Sequence, residues 1–198
     1  MTLHEWGELD DDIEGELVDG VLEEEEMPTW LHEIVATWFI VALSAWADPR
    51  GGLVAGSDLK VAVGHKRGRK PDVSVFLREM PKLRDALVRA KPYLVVEVLS
   101  PRLRDQRRDR VDKVRDYAAC GAGHYWIVDP QLRTVEFLRF ERPRNGVKGA
   151  RRMHPDVLIE TAERGKVRPR GFTGLVLDLD ELWEKIDSAE ETPRKRRR

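Results

Sequence analysis

The chain has 198 residues, of which 41% are apolar and 36% are charged. This apolar fraction is too high for a disordered chain, and the length suits one domain with a core of its own. The single cysteine excludes an internal disulfide and a cysteine-based zinc cluster, which favours a reducing compartment and a cytoplasmic protein. We find no signal peptide and no apolar run near the roughly 18 residues of a membrane span, so we expect no membrane partner.

The net charge is only −1, but the charges are unevenly distributed. Residues 1–26 contain 12 acidic side chains and no Lys or Arg, so residues 27–198 carry 35 basic side chains against the remaining 24 acids. A basic body with an acidic head attracts polyanions locally and stays soluble. Ordinary surface charge gives the same imbalance, and composition alone does not choose between the two explanations.

An acidic, flexible lead-in, with or without one helical turn, is predicted over residues 1–14, followed by a hairpin over residues 16–26. Asp19-Gly20 is a favoured type I′ pair and marks the turn of this hairpin. Glu16 opens the hairpin. It is either an ordinary acid at a hairpin edge or, if the hairpin flanks the main sheet, a neighbour of the acids described below.

A long helix is predicted to begin after Pro28, with Thr29 as its N-cap. His32 falls beside the apolar face of this helix, either as a packed or capping histidine or at the rim of a site, where it touches phosphate or orients an acid. The apolar residues that recur at helical spacing are Leu31, Ile34, Val35, Trp38, Phe39, Ala42 and Trp46.

A strand is predicted over residues 53–63, and a basic loop follows at residues 65–70. The loop combines glycines with cations, a composition that suits contact with a phosphate backbone but also a solvated turn. Its candidate contacts are Lys66, Arg67, Arg69 and Lys70. The loop leads into Asp72, which opens a short apolar strand.

A second buried strand is predicted over residues 93–99, a β-branched apolar run with Glu97 in its middle. A buried carboxylate is costly unless a cation or several donors meet it. Asp72 and Glu97 on adjacent core strands, followed by a helix that carries Lys113, predict a site for a divalent cation.

We expect a helix over residues 105–120, in which Asp109 and Lys113 also fit a simple surface ion pair. Its predicted buried stripe is Val111, Val114 and Ala118. The other predicted elements are an amphipathic helix and loop over 78–91, strands over 125–128, 134–140 and 157–161, a mobile loop over 141–152, an extended piece over 172–177, a helix over 179–186 and a disordered basic tail.

Several motifs in this order resemble the Uma-type family of putative restriction endonucleases, within the PD-(D/E)XK nuclease superfamily. The likeness fades after about Phe140. The residues that carry it are Glu16-Leu17-Val18-Asp19-Gly20, His32, Pro71-Asp72, Glu97-Val98-Leu99-Ser100-Pro101, Asp109, Lys113, Tyr117, Gly121 and Tyr125-Trp126-Ile127-Val128-Asp129-Pro130.

The resemblance implies an α/β (α+β) fold with a restriction-endonuclease-like core, a mixed central sheet flanked by helices. It implies one nuclease-like domain over residues 15–187 and a basic tail over residues 188–198. The implied activity is metal-dependent hydrolysis of DNA phosphodiester bonds, with double-stranded DNA as the substrate and a homodimer as the assembly.

The implied cofactor is Mg²⁺ or Mn²⁺, bound by Asp72, Glu97 and the carbonyl of Val98. Lys113 is then the catalytic cation that orients water and stabilises charge, and Glu16 is a further catalytic candidate. The expected contacts to nucleic acid are Lys66, Arg67, Arg69, Lys70, His32 and Arg107.

The sequence departs from the expected pattern at three places. Leu99 stands where the wider superfamily has a lysine, a departure that the Uma-type family shares. The helix with Lys113 lies about two residues further along than expected. His124 replaces an acid, so a ligand is lost or a base gained. Two alternatives therefore remain: a catalytically weak relative that only binds nucleic acid, and an intracellular assembly domain whose buried acids form structural ion pairs.

Overall fold

The computed structural model describes residues 1–10, 13–24, 27–102, 107–140 and 158–191. The helices are α1 (Leu3–Gly7), α2 (Trp30–Ala47, extended by a 3₁₀ turn at Asp48–Arg50), α3 (a π-helical segment Arg108–Lys113 followed by α-helical Val114–Cys120) and α4 (Leu179–Glu191). The strands are β1 (Glu16–Val18), β2 (Val21–Glu23), β3 (Leu53–Ala55), β4 (Val61–Gly64), β5 (Arg67–Arg69), β6 (Val73–Phe76), β7 (Leu94–Val98), β8 (His124–Asp129), β9 (Thr134–Arg139), β10 (Leu158–Ala162), β11 (Lys166–Val167) and β12 (Leu177–Asp178).

A six-stranded mixed sheet in the order β10-β9-β8-β7-β6-β3 forms the centre of the fold. Strands β7 and β8 are parallel, and the other neighbours are antiparallel. A parallel pair needs a crossover connection, which α3 supplies. Helix α3 therefore packs against the face of the sheet next to the end of β7, where Glu97 lies.

Side chains alternate between the two faces of the central strands, and each face has its own apolar core. On β7, Val96 and Val98 face the core that contains α2 and α4. Val95 faces the second core, which α3 and β4 cover. Glu97 shares the parity of Val95, so its carboxyl group enters the face beneath α3.

A smaller antiparallel sheet in the order β2-β1-β5-β4 lies beside this second face. The predicted hairpin is confirmed: Asp19 and Gly20 have φ values of 50° and 86°, as a type I′ turn requires. Strand β5 pairs with β1 and β4, so residues 67–69 form a strand where a loop was predicted.

The helical turn that the sequence left open for the lead-in is present as α1, but residues 1–10 pack onto the fold and are not a flexible segment. Helix α1 buries Trp6 completely, and the indole N–H donates to the carbonyl of Gly15 at 3.0 Å. Gly68 is required at this contact, because a Cβ atom there would lie 2.2 Å from the Trp6 ring. The N-terminal segment thus holds the small sheet in place.

Helix α2 has the predicted N-cap, with the Thr29 hydroxyl accepting from the backbone N–H of His32 at 3.3 Å. The segment Trp30–Arg50 is long and apolar enough to cross a membrane by length and composition, contrary to the expectation from sequence. In this fold α2 contributes Phe39 and Leu43, both fully buried, to the core, and a core helix passes the same test.

Two further elements differ from the prediction. Residues 53–63 form two strands in different sheets, β3 beside β6 and β4 beside β5, since the chain turns between them. Residues 78–91 contain no helix, and Val88 makes an isolated bridge to Val61 instead. Val88 belongs to the second core, and Ala90 packs against it.

The buried stripe of α3 is shifted by its π-helical start. Val114 and Ala118 are buried as predicted, but Val111 is exposed. In a π-helical turn the hydrogen bonds join residues i and i+5, so the side chains point in different directions from those of an α-helix. Here Asp109 and Lys113 face the interior, and Val111 faces solvent. The predicted loop over 141–152 and the basic tail lie outside the described residues, while the strand near 157–161 and the closing helix are confirmed as β10 and α4.

Candidate active site

Asp72 and Glu97 face each other across neighbouring strands. Val73 pairs with Val96 in the antiparallel β6–β7 ladder, which places Asp72, one residue before β6, opposite Glu97. Directly opposed residues share a face of the sheet, with Cβ atoms about 4.5–5.5 Å apart. The Oδ2 atom of Asp72 accepts from the backbone N–H of Val98 at 2.6 Å, which fixes the aspartate at the end of β7.

Both oxygens of Glu97 accept hydrogen bonds from α3. Lys113 Nζ donates to Oε2 at 2.9 Å, and the Tyr117 hydroxyl donates to Oε1 at 3.0 Å. Lys113 and Tyr117 are four residues apart and therefore lie on the same face of the helix. An ammonium group thus reaches Glu97 from the crossover helix, and Leu99, two residues after Glu97, is part of the apolar core.

Lys113 is surrounded by carboxylates. Besides Glu97, its Nζ atom lies 3.3 Å from Asp109 Oδ1 and 3.5 Å from Glu16 Oε1. Asp109 and Lys113 are 5% and 3% exposed, so their interpretation as a surface ion pair is wrong. The π-helical segment buries both groups beside Glu97.

Glu16 links this cluster to the small sheet. Its Oε1 atom accepts from the backbone N–H of Lys70 at 3.0 Å, and its Oε2 atom accepts from Arg69 Nη1 at 2.6 Å. Arg69 also donates to Asp116 Oδ2 from Nε and Nη2, and it is 1% exposed. The hairpin therefore flanks the sheet, and Glu16 is a buried neighbour of the other acids.

Two of the four cations in the predicted basic loop do not point freely into solvent, because they belong to β5 and are bound by acids. Arg69 is buried, and Arg67 binds both Asp19 and Asp116. Lys70 forms an ion pair with Asp58 at 2.7 Å beside the site, and Lys66 is exposed as expected. Arg107, at the start of α3, is also exposed.

His32 lies against Asp72, with 3.1 Å between His32 Nε2 and Asp72 Oδ2. Burial lowers the pKa of His32, but the hydrogen bond and charge of Asp72 outweigh burial and raise it overall. His32 therefore contacts the acid Asp72 with its side chain, while its backbone N–H takes part in the N-cap of α2.

The four carboxyl groups around Lys113 differ in pKa. Burial raises the pKa of Glu97 and of Asp109, although Lys113 lowers both. For Glu16, Lys113 and Arg69 outweigh burial and the pKa is lowered. Burial raises the pKa of Asp72 as well, but His32, Lys113 and the Val98 N–H outweigh burial and lower it overall.

A cavity of about 590 Å³ opens onto this cluster. Asp72, Glu97, Asp109 and Lys113 line its charged part, and His32 lies at its edge. Apolar and polar side chains around the charged part include Met27, Pro28, Leu31, Leu99, Ser100, Pro101, Pro130 and Gln131. The candidate site is thus accessible to a ligand much larger than water.

Mg²⁺ and Mn²⁺ take hard oxygen ligands, and Mg²⁺ often binds through one or two carboxylates together with waters and substrate phosphates. Asp72 and Glu97 fit that requirement, and the buried Oδ1 atom of Asp109, which lies 3.3 Å from Lys113 Nζ, has no hydrogen-bond partner. Within the described ranges, no group of three or more His, Cys, Asp or Glu side chains could hold a metal ion. The pair Asp72 and Glu97 fits an ion only when water, a backbone carbonyl or phosphate completes its coordination.

His124 is neither a ligand nor a base of this cluster. It pairs with Leu94 in the parallel β7–β8 register, three residues before the level of Glu97, or about 10 Å along the strand. Its ring packs against Tyr93 and Phe172, with centroids 5.2 and 4.8 Å away. Burial lowers its pKa to about 4. The substitution at this position leaves the candidate site intact.

Two contributors were not assigned a role from sequence. Tyr117 belongs to the motif set, but nothing in its spacing showed that its hydroxyl reaches Glu97. Asp116 was given no role, although it holds Arg69 and Arg67. The only sequence signal for Asp116 is its i,i+4 spacing from Asp112, which carries no information about burial.

The sequence that builds this site is similar to that of a known family. Residues 2–164 match the family model described as Uma2, putative restriction endonuclease. The chain belongs to this family. The match extends beyond Phe140, where the likeness in the sequence fades, and it covers every residue of the cluster around Lys113.

Among solved structures, the Uma2 chain is similar to a putative nuclease belonging to DUF820 from Anabaena variabilis ATCC 29413. The identity is 20%, the TM-score is 0.69, and the alignment covers 93% of this chain and 98% of that one. The predicted nuclease-like fold is thereby confirmed. The type IIG restriction endonuclease BpuSI also matches, with 14% identity, a TM-score of 0.37, and coverage of 87% of this chain and 18% of that one. No curated protein matches the chain.

Proposed function

We propose that the protein is a divalent-metal-dependent endonuclease that hydrolyses phosphodiester bonds in DNA. The observation that carries this proposal is the opposition of Asp72 and Glu97 on neighbouring strands, with the Lys113 ammonium 2.9 Å from Glu97. The accessible cavity over these groups and the membership of a restriction endonuclease family support it.

Asp72 and Glu97, with the carbonyl of Val98, would hold Mg²⁺ or Mn²⁺. Such an ion supplies positive charge at the scissile phosphate and makes water more acidic. Asp72 is prepared for this role by the Val98 N–H and His32, which fix its carboxylate and favour its ionised form.

Lys113 would orient the attacking water and stabilise charge on the phosphate. Glu97, Asp109 and Glu16 hold its ammonium group in the interior and raise its pKa well above the ordinary value, against the effect of burial. A permanently charged donor beside the reacting group needs no reorganisation during the reaction. Glu16 would act through Lys113 and not by contact with DNA, since it is buried and, unlike Glu97 and Lys113, does not line the cavity.

Lys66, Lys70 and Arg107 are the proposed contacts to the phosphates of double-stranded DNA. His32 is not among them, because its Nε2 atom is engaged by Asp72 and its Nδ1 atom is buried. Lys66 and Arg107 are exposed, and Lys70 lines the cavity. Arg69 is not among the proposed contacts, because its guanidinium group is buried between two carboxylates, and Arg67 is engaged by Asp19 and Asp116.

A homodimer and a cytoplasmic location remain parts of this proposal. Only the resemblance supports the homodimer, and only the cysteine usage supports the location. Light scattering of the purified protein with and without DNA measures the mass and tests the assembly.

Plasmid cleavage tests the function. Supercoiled DNA is incubated with the protein and Mg²⁺ or Mn²⁺, with EDTA as the metal-free control. The test variants Asp72→Asn and Glu97→Gln keep the size of each side chain, and Glu14→Gln, an exposed acid of the same cavity, is the matched control. We expect cleavage by the wild type and by Glu14→Gln, and none by the two test variants.

The two alternatives give different results in the same experiment. Salt-sensitive DNA binding without cleavage by the wild type would favour a binding protein of this fold. Neither binding nor cleavage would favour an assembly domain, in which the Glu16–Arg69–Asp116 ion pairs serve only stability.

A further inference from the structure

Tyr117 holds the carboxyl group of Glu97 from inside the protein. The tyrosine is fully buried, and its hydroxyl donates to Glu97 Oε1 at 3.0 Å, while Lys113 donates to Oε2 at 2.9 Å. Two donors on one helix therefore engage the two oxygens separately. These two hydrogen bonds fix the terminal torsion angle of the Glu97 side chain, whose distribution is otherwise broad.

The tyrosine itself is held rigidly. Its ring lies against that of Tyr125, with centroids 5.5 Å apart and an interplanar angle of 32°. The Tyr125 hydroxyl in turn donates to the backbone carbonyl of Asp109 at 2.9 Å, within the π-helical segment that carries Lys113. Strand β8 thus supports both donors that reach Glu97.

From this geometry we propose that Tyr117 is a positioning residue that orients Glu97 toward Asp72 for metal binding. Glu97 lines the cavity while its Oε1 atom is held from the opposite, buried side. A carboxylate fixed in this way presents its remaining lone pairs without first losing rotational freedom. Hydrogen-bonded partners of metal ligands typically contribute 10–100-fold to metal affinity.

This inference rests on the proposed function, so its test uses metal binding as well as cleavage. The three tyrosines of the chain provide a matched design. Tyr117→Phe removes the hydroxyl next to Glu97 and keeps the ring. Tyr93→Phe removes a hydroxyl that donates to the carbonyl of Gly171 at 2.7 Å, at the opposite end of β7, and controls for the loss of one hydrogen bond.

Binding of Mn²⁺ is measured from the electron paramagnetic resonance signal of the free ion, and thermal melting checks that each variant is folded. We expect Tyr117→Phe to bind Mn²⁺ about 10–100-fold more weakly than the wild type, and Tyr93→Phe to bind it normally. In single-turnover plasmid cleavage, Tyr117→Phe should require correspondingly more Mn²⁺ and approach the wild-type rate at saturation.

The two possible failures are distinguishable. Wild-type protein that binds no Mn²⁺ and cleaves nothing would overturn the proposed function and this inference together. Wild-type protein that binds and cleaves, with a Tyr117→Phe variant of unchanged Mn²⁺ affinity, would overturn the role of Tyr117 alone. Equal losses in Tyr117→Phe and Tyr93→Phe would also overturn it, because a general structural effect would then explain both.

Discussion

The ammonium nitrogen of Lys113 lies 2.9 Å from Glu97 Oε2, and both side chains are almost completely buried. A buried ion pair gives little net stability compared with apolar residues, whereas removal of one partner leaves an uncompensated charge. The presence of this pair is therefore explained better by a role in the proposed reaction than by a contribution to stability. Substitution of either partner should destabilise the protein.

Lys113→Met should destabilise the protein as well as abolish cleavage. It leaves Glu97, Asp109 and Glu16 without their shared cation, at a cost of about 3–5 kcal/mol at neutral pH. Urea unfolding measures the loss, which should shrink in acid, where these carboxyls take up protons. A variant as stable as the wild type at pH 7 would show that the lysine does not compensate these acids.

Arg69→Met should lower stability without a direct effect on DNA contacts. Its guanidinium bridges Glu16 and Asp116 in the interior, so we expect a loss of about 3–5 kcal/mol in the free energy of unfolding. The salt dependence of DNA binding by the folded variant should equal that of the wild type. A shallower salt dependence would mean that Arg69 reaches phosphate after all.

Lys66→Ala should show the opposite pattern. Lys66 is exposed, so its removal should leave the urea midpoint unchanged and reduce the slope of log K against log salt by about 1. Fluorescence anisotropy at several salt concentrations measures this slope. Lys91→Ala, an exposed lysine just before β7 at the end away from Glu97, is the control and should keep the wild-type slope.

His124 should make stability depend on pH between about 4 and 6.5. Burial lowers its folded-state pKa to about 4, whereas in the unfolded chain it titrates near 6.5. The unfolded state therefore binds more protons in this window. The stabilisation is complete above pH 6.5, declines as the pH falls toward 4, and amounts to about 3 kcal/mol at most.

The comparison of wild type with His124→Phe isolates this effect from the carboxyl titrations. Denaturant unfolding at several pH values should show a wild-type stability that falls more steeply than that of the variant between pH 6.5 and 4. Parallel curves would mean that His124 is protonated in the folded protein at its ordinary pKa.

The sequence predicted the elements of this fold where local pattern and burial agree. Leu94–Val98 and His124–Asp129 are apolar β-branched or aromatic runs, and turn residues set the ends of the β1–β2 hairpin. The opposition of Asp72 and Glu97 followed from the same logic, because each acid interrupts or opens a buried strand.

Other parts of the site depend on tertiary contacts that no local pattern encodes. Arg69 is in a run of cations typical of a solvated loop, and only its pairing with Glu16 and Asp116 makes burial possible. The π-helical turn changes which residues of α3 face the sheet, so helical periodicity selected Val111 and missed the burial of Asp109. Sequence spacing alone could not reveal the hydroxyl of Tyr117 beside Glu97.

The most direct test of the central claim is a crystal soaked in Mn²⁺ and measured at the manganese absorption edge. The account predicts an anomalous peak between the carboxyl groups of Asp72 and Glu97, with both within about 2.0–2.4 Å of the ion. An Asp72→Asn crystal soaked in parallel should lose the peak. A wild-type crystal with no peak there, or with manganese bound only elsewhere, would contradict the assignment of these two acids as the metal site.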